Sequence, residues 1–287
     1  MTEIPAGRLK AYRQRTFRLA ADLRMESAEE ALRFVNERGF VYFWPIKGVT
    51  LPNLWAAVAG ERPVADAHDD PGHVTWGWKD GMLDKRQWYY AKILRGKATM
   101  IALEIAPFFY ALSENYGDPD QDYLQLYEDG LLSREAKLIY EALLREGPLD
   151  TVNLRRKIHM TGKASNSPFE RGLTNLQRDF KILPMGIAEA GAWRYSFIYD
   201  LVHRHYPGLP DQARPIKRSQ ARQRLLSLFF DSLGAATAAE ARKVFQWPKK
   251  DLDRTLAALV ESAALLDSYQ VEGQAGEHYA VPDLVRV

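Results

Sequence analysis

The sequence predicts a mostly α protein with small β-hairpins, an α+β chain assembled from repeated units. Three observations predict it. Three helical segments followed by a hairpin run from Ser133, and the same order returns after Lys217. Within those helices apolar residues recur three and four apart. The strand-like runs are short, paired and separated by glycine-containing turns.

The clearest unit spans 131–212. In "SREAKLIYEALLREGPL" the residues Ala136, Ile139, Tyr140, Leu143 and Leu144 form one stripe, Ser133 is the N-cap, and Gly147-Pro148 stops the helix. A short helix follows from Thr151. A third, "SPFERGLTNLQRDF", has Ser167 as cap, Pro168 in the first turn, and Phe169, Leu173, Leu176 and Phe180 facing inward. "FKILPMGI" and "AWRYSFIYD" form the hairpin. Helix, helix, helix, hairpin is the order of a winged helix. The unit at 213–287 repeats it with "RSQARQRLLSLFFDSLG", "TAAEARKVFQW", "PKKDLDRTLAALVESA" and a hairpin across "EGQAG". A divergent first unit is expected over 1–130. It has a basic helix near Arg8–Leu23, a second helix capped by Ser27 with Glu30 completing a capping box, and the strand "FVYFWP". The pattern then breaks, and residues 50–100 read as an aromatic insertion.

The composition is that of a soluble globular chain, 46% hydrophobic and 26% charged over 287 residues, with a net charge of only +2. No apolar run approaches the roughly 18 residues needed to span a bilayer. The N-terminus lacks the apolar core of a signal peptide, so a cytoplasmic protein is expected. Without cysteine there is no disulfide, thiol nucleophile or cysteine metal site. No phosphate-binding glycine loop, G-x-S-x-G or H-E-x-x-H occurs, and neither cofactor nor metal is expected.

Charge is unevenly spread. Residues 104–150 hold eleven Asp/Glu against three Lys/Arg, whereas 151–225 hold fourteen Lys/Arg against five Asp/Glu. A basic stretch on a winged helix suits double-stranded DNA. Arg171, Asn175 and Arg178 lie opposite the apolar stripe of the third helix, and Arg155, Arg156, Lys157 and Lys163 precede it. These residue types clamp phosphates or read base edges. The bland alternative is a solvated helix face in a module for protein–protein assembly.

In "HVTWGWKDGMLDKRQWYYAKILRGK", Trp76, Trp78, Trp88, Tyr89 and Tyr90 interleave with Lys79, Lys85, Arg86, Lys92, Arg95 and Lys97. Aromatics among cations suit stacking of unpaired bases beside a phosphate backbone, although Trp and Tyr are also common core residues. In "FVYFWPIKGV" strand alternation places Tyr42 and Trp44 on one face and Phe43 on the other. "HDDPGH" gathers His68, Asp69, Asp70 and His73, which are acid–base types in a sequence that is also ordinary turn chemistry.

Winged-helix-like units with an aromatic first copy resemble the winged-helix DNA glycosylases of the AlkZ type. The resemblance covers roughly residues 8–285, anchored by the strand at 40–45 and by "LPNLWAAVAG". It implies a bacterial DNA-repair scaffold that excises alkylated bases. The family's motif, glutamine, any residue, then aspartate or glutamine, falls on Tyr42-Phe43-Trp44 here, so its hydrolytic chemistry is replaced. The family's C-terminal β-barrel is not expected either. The leading expectation is therefore binding of double-stranded DNA, damaged or distorted duplexes included, on a frame whose catalytic motif has changed. The alternatives are an active glycosylase using the loop at 66–73, and an assembly scaffold.

Overall fold

The computed structural model describes residues 2–115, 117–191 and 193–285. Strand β1 (Thr2–Ile4) and helix α1 (Ala6–Thr16) come first, then α2 (Ala28–Arg38) and β2 (Phe40–Tyr42). Ser27 caps α2, accepting from the Glu30 amide at 3.2 Å, and Gly39 at φ 78° ends it. The Glu30 carboxylate reaches back one residue beyond the cap, to the Glu26 amide at 2.8 Å.

Residues 50–100 are ordered differently from the expected insertion. They contain α3 (Leu54–Ala59), α4 (Val74–Asp80) and a hairpin of β3 (Tyr89–Lys92) and β4 (Ala98–Ile101). Strand β2 pairs with β4, which pairs with β3. The segment thus supplies two helices and a hairpin to a unit opened by α2. The pattern is hidden in the sequence because β3 and β4 are almost wholly buried and do not alternate, and because α4 has seven residues around Gly77.

After α5 (Ala106–Tyr110) and α6 (Asp122–Glu128) comes α7 (Arg134–Glu146), capped by Ser133 through the Ala136 amide at 3.2 Å. Then follow β5 (Leu149–Asp150), α8 (Thr151–Lys157), α9 (Asn166–Arg178), β6 (Ile182–Ala188) and β7 (Ser196–Leu201). Ser167 does not cap α9. It lies inside the first turn, where its hydroxyl accepts from Arg171 at 3.0 Å. Two short helices, α10 (Val202–His205) and α11 (Leu209–Ala213), lead to α12 (Arg218–Leu233), β8 (Ala235–Ala236), α13 (Ala238–Phe245), α14 (Lys249–Glu261), β9 (Leu266–Val271), β10 (His278–Ala280) and α15 (Pro282–Val285).

One connection recurs three times. The short strand after a unit's first helix pairs antiparallel with the last strand of its hairpin: β2 with β4, β5 with β7, β8 with β10. The N-terminal segment belongs in space to the far end of the chain. Strand β1 pairs parallel with β9, and Arg13 on α1 donates to the Leu233 and Ala235 carbonyls at 3.0 and 2.8 Å. The basic helix near Arg8 therefore braces the third sheet, and α2 opens the first unit.

Two apolar cores result. One joins the first and third units, where the Phe40 ring meets Phe109 at 5.4 Å and Phe245 at 5.9 Å. The other lies inside the second unit around Ile139, Leu143, Phe169, Leu173 and Leu176, and takes in Tyr123 and Leu126 from α6. Phe180 ties the second unit to the first, stacking on Tyr89 at 4.6 Å. At Gly96 (φ +64°) a Cβ would lie 2.9 Å from the Thr174 methyl group, so only glycine lets the β3–β4 turn approach α9 this closely.

Candidate nucleic-acid interface

The aromatic strand is packed shut. Strand β2 ends at Tyr42, so the alternation does not extend to Trp44. Phe43 and Trp44 instead stack at 5.5 Å, and both meet Trp76 edge-on. Tyr42 is 1% exposed, and its hydroxyl has no hydrogen-bond partner among the described residues. Burial pushes its phenol up to about 12, against a smaller opposing pull from Arg95. A neutral phenol sealed from water neither holds nor deprotonates a hydrolytic water near pH 7. Trp76 and Trp78 are half-buried, whereas Trp88, at 1% exposure, is core and presents no ring face to a base.

Lys79 is not a phosphate-facing cation either. Its side chain is buried and bonded to the Asp80 carboxylate and, at 3.0 Å, to the Tyr195 hydroxyl on the approach to β7. Tyr195 in turn donates to Asp80 at 3.0 Å. Five rings, Phe43, Trp76, Tyr90, Tyr195 and Phe197, lie 4.6–5.8 Å from the Lys79 ammonium. This cage joins α4 of the first unit to the hairpin of the second.

The loop bearing His68, Asp69, Asp70 and His73 holds itself together. Asp70 takes a bond from Arg62 at 2.6 Å and caps the turn at Pro71–His73 through the Gly72 amide at 2.8 Å. Those bonds hold the Asp70 carboxyl below its usual range, with the Arg62 contribution first. His73 Nε2 lies 2.9 Å from the Ala65 carbonyl oxygen, and its ring packs on Trp55. His68 and Asp69 are exposed. Among the described residues no three His, Cys, Asp or Glu are grouped to hold a metal.

Much of the basic excess in 151–225 is matched by carboxylates that the fold brings close. Lys157 pairs with Glu146 at 2.7 Å, Arg178 with Asp179 at 3.3 Å, Arg204 with Asp200, Arg218 with Glu114, Arg222 with Asp251, and Arg194 with Glu189. Among the described residues, the cations left without a carboxylate partner on α8, α9 and the loop between them are Arg155, Arg156, Lys163 and Arg171. Arg155 bonds Asn166 and lies over the Phe169 ring at 4.7 Å, Arg156 bonds Asn153, and Arg171 bonds Ser167. Arg171 and Arg178 are exposed along α9, with Asn175 half-buried between them. The neighbouring face of α9 is occupied by the first unit, where Gln177 accepts from the Lys92 amide at 3.1 Å and Lys92 pairs with Glu170.

That stripe ends at a cavity of about 310 Å³ where all three units meet. The first unit supplies Ile93, Leu94 and Arg95, the second Arg178, Asp179 and Phe180, and the third Leu225, Phe245, Gln246 and Trp247, with Phe109 and Ser113 closing the side. One Arg95 guanidinium nitrogen is buried without a hydrogen-bond partner among the described residues. Burial raises the Asp179 carboxyl, against Arg178 and Lys181. A carboxyl whose folded pKa is raised contributes stability below its unfolded value, and that contribution is lost as pH rises through the folded value. Asp179→Asn imitates the neutral form, so its melting temperature relative to wild type is expected to be higher at pH 7 than at pH 4. Equal differences at both pH values would remove the buried-carboxyl reading. Of these lining residues the sequence had singled out Arg178, along with Arg95 as one of a basic run and Phe180 as core. Gln246 and Asp179 lie just after helix ends and carry no local signal.

Three helix-and-hairpin units meet around one cleft in this fold. The Streptomyces sahachiroi DNA glycosylase AlkZ shares it, with a TM-score of 0.60 over 98% of this chain and 71% of that one, at 12% identity. The sequence model of the family described as "AlkZ related" matches residues 25–246, and the chain belongs to that family. None of the curated proteins compared matches the chain. Among the described residues no helix is long and apolar enough to cross a membrane.

Proposed function

We propose that this protein binds double-stranded DNA through three winged-helix units, opened by α2, α7 and α12, on an AlkZ-type frame that does not excise bases through its Tyr42–Trp44 strand. The observation that carries the reading is the Arg171–Asn175–Arg178 stripe on α9 leading into the three-unit cavity, with Arg155, Arg156 and Lys163 beside it left without a carboxylate partner among the described residues. Membership of the AlkZ-related family and the fold of a protein titled a DNA glycosylase support it. The burial of Tyr42 supports the second half, because cleavage of the N-glycosidic bond needs a placed water and a group that stabilises charge on the sugar.

Duplex affinity is expected to fall steeply with salt, and each lost phosphate contact lowers the log–log slope by about 0.9. Arg155→Ala/Arg171→Ala should reduce the slope by roughly two and weaken binding uniformly across sequences. Slopes equal to wild type would discard this surface. Binding that ignores salt would favour a protein–protein scaffold. Duplexes carrying N7- or N3-alkylated purines should release no base. Release that disappears in Tyr42→Phe would reverse the assignment of the strand, and release that depends on Asp69 or Asp70 would restore the loop at 66–73 as a catalytic centre.

A further inference from the structure

The second unit carries a cleft apart from the α9 stripe. It holds about 570 Å³ and runs between α7 and the end of α8. Arg134, Glu135, Leu138 and Arg145 form its α7 wall, and Lys157, Ile158, His159 and Met160 form the other. The α7 residues all fall within an arc of about 100° on that helix. The arc turns away from α9, because α7 meets α9 through Ala136 and Ile139. A Cβ at Gly172 would lie 3.1 Å from the Ile139 Cδ1 and 3.2 Å from the Ala136 nitrogen. The other wall forms where α8 stops at a left-handed turn, with His159 at φ 56° and the Met160 amide donating to the Arg155 carbonyl at 2.8 Å. The floor is aliphatic. Ile158 is buried, and Leu138 and Met160 are half-buried against the core of the second unit.

The two ends of this cleft differ in charge. At one end stand Arg145, Lys157 and His159, all exposed, with Lys157 held by Glu146 at 2.7 Å. Arg145 and Arg134 have neither a carboxylate nor a hydrogen-bond partner among the described residues. The other end of α7, about 16 Å away along the helix, is mainly acidic. There the turn from α6 exposes Glu128 and Asp129, and Glu135 follows in the lining, with Arg134 among them. The same turn leaves two large apolar side chains in solvent. Leu131 is 66% exposed and Tyr127 39%, with one face of the Tyr127 ring on the Lys137 ammonium at 5.1 Å. Leu131 stands three residues before Arg134, so no more than about 11 Å of chain separates them. Apolar side chains exposed beside a cleft with an aliphatic floor and a polar rim mark an interface.

We propose that this side of α7 is the contact between two copies of this chain, with the two α7 helices antiparallel about a twofold axis. Such an axis sets the acidic turn of each copy against the basic end of the other, so the one surface is complementary to itself. Glu128 and Asp129 of each copy face Arg145 and His159 of the other. Leu131 enters the cleft over Leu138, Ile158 and Met160, where the unbranched methionine adapts to the incoming side chain. A duplex fits this surface poorly. Phosphates leave an aliphatic floor uncovered, and the acidic turn repels them. Because the contact uses the side of α7 turned from α9, the α9 stripe of each copy stays open. The inference is independent of the DNA-binding reading, since self-association is measured without DNA.

The test is sedimentation of the full chain over about 1–100 μM, the range in which a weak interface dissociates. Wild type is expected to move reversibly from the mass of one chain, 32.8 kDa, toward twice that mass. Leu131→Lys should raise the dimer dissociation constant at least about tenfold, because a buried leucine is replaced by a charge. Two charge reversals give the sharper test. Glu128→Lys/Asp129→Lys makes both ends basic, and Arg145→Glu removes the basic end. Each alone is expected to stay monomeric through like-charge contacts. An equimolar mixture of the two restores opposite charges at both contacts of the pair, so it should dimerise again, which misfolded variants could not do. Wild type at 32.8 kDa throughout the range overturns the proposal. A wild-type dimer that all three variants retain places the contact elsewhere and overturns it too. Reversals that remain monomeric when mixed overturn the antiparallel pairing.

Discussion

Trp88→Ala is expected to lower the unfolding free energy by about 3–5 kcal/mol, the usual cost of truncating a fully buried tryptophan. Trp88 is 1% exposed and sits in the core shared by the first and third units, just before β3. Its backbone carbonyl accepts from the Tyr206 hydroxyl at 3.0 Å, so the site also anchors the segment after α10. Its indole nitrogen has no hydrogen-bond partner among the described residues. Trp88→Phe removes that orphaned donor and keeps most of the ring, and should cost much less. Denaturant unfolding of the two variants checks this. Should Trp88→Ala retain wild-type stability and instead weaken binding to single-stranded DNA, Trp88 would be a stacking residue after all, as the interleaved sequence suggested.

Lys79→Met is expected to cost about 3 kcal/mol, near the low end for breaking a buried ion pair. Two effects oppose each other. Burial pulls the Lys79 pKa down, so its charge is expensive to desolvate, while Asp80 pulls it back up. Five rings within 6 Å add cation–π attraction. Methionine removes the charge and strands the Asp80 carboxylate against the Tyr195 hydroxyl and the same rings. The Asp80 side chain is 24% exposed and keeps some solvation, which places the loss at the low end. The double substitution Lys79→Met/Asp80→Asn removes both charges and should recover more than half of it. A double-mutant cycle by thermal or denaturant unfolding measures the coupling. A single variant as stable as wild type would show that desolvation cancels the cage.

The helices and hairpins of 134–201 and 218–280 were legible because the longer helices there alternate buried and exposed positions over 8–16 residues, and that periodicity is local. The caps at Ser27 and Ser133 were legible for the same reason: a cap acts on an amide three residues away. Ser167 was misplaced because Ser165, Asn166 and Ser167 are chemically equivalent cap residues in sequence, and only the entry of the chain into α9 selects among them. The first unit was half-hidden. Its hairpin is buried on both faces and loses the period of two, so "YYAK" and "ATMI" read as aromatic insertion rather than as strands.

Tertiary structure alone decided the site. Whether Trp88 or Trp76 meets solvent depends on residues from other elements that cover it. Whether Lys79 faces a phosphate depends on Tyr195 and Phe197, more than a hundred residues away. The pairing of β1 with β9 joins opposite ends of the chain, and no local pattern in "TEI" foretells it. The basic bias of 151–225 was real, yet acidic residues as distant as Glu114 and Asp251 neutralise much of it, and only folding brings them into contact. What the sequence by itself determined was the order of helices and hairpins, because hydrophobic period and capping act within a turn or two. Which charges stay free, which rings are core, and where three unit edges leave a cavity are set by contacts between residues far apart in the chain, and these exist only once the units have packed.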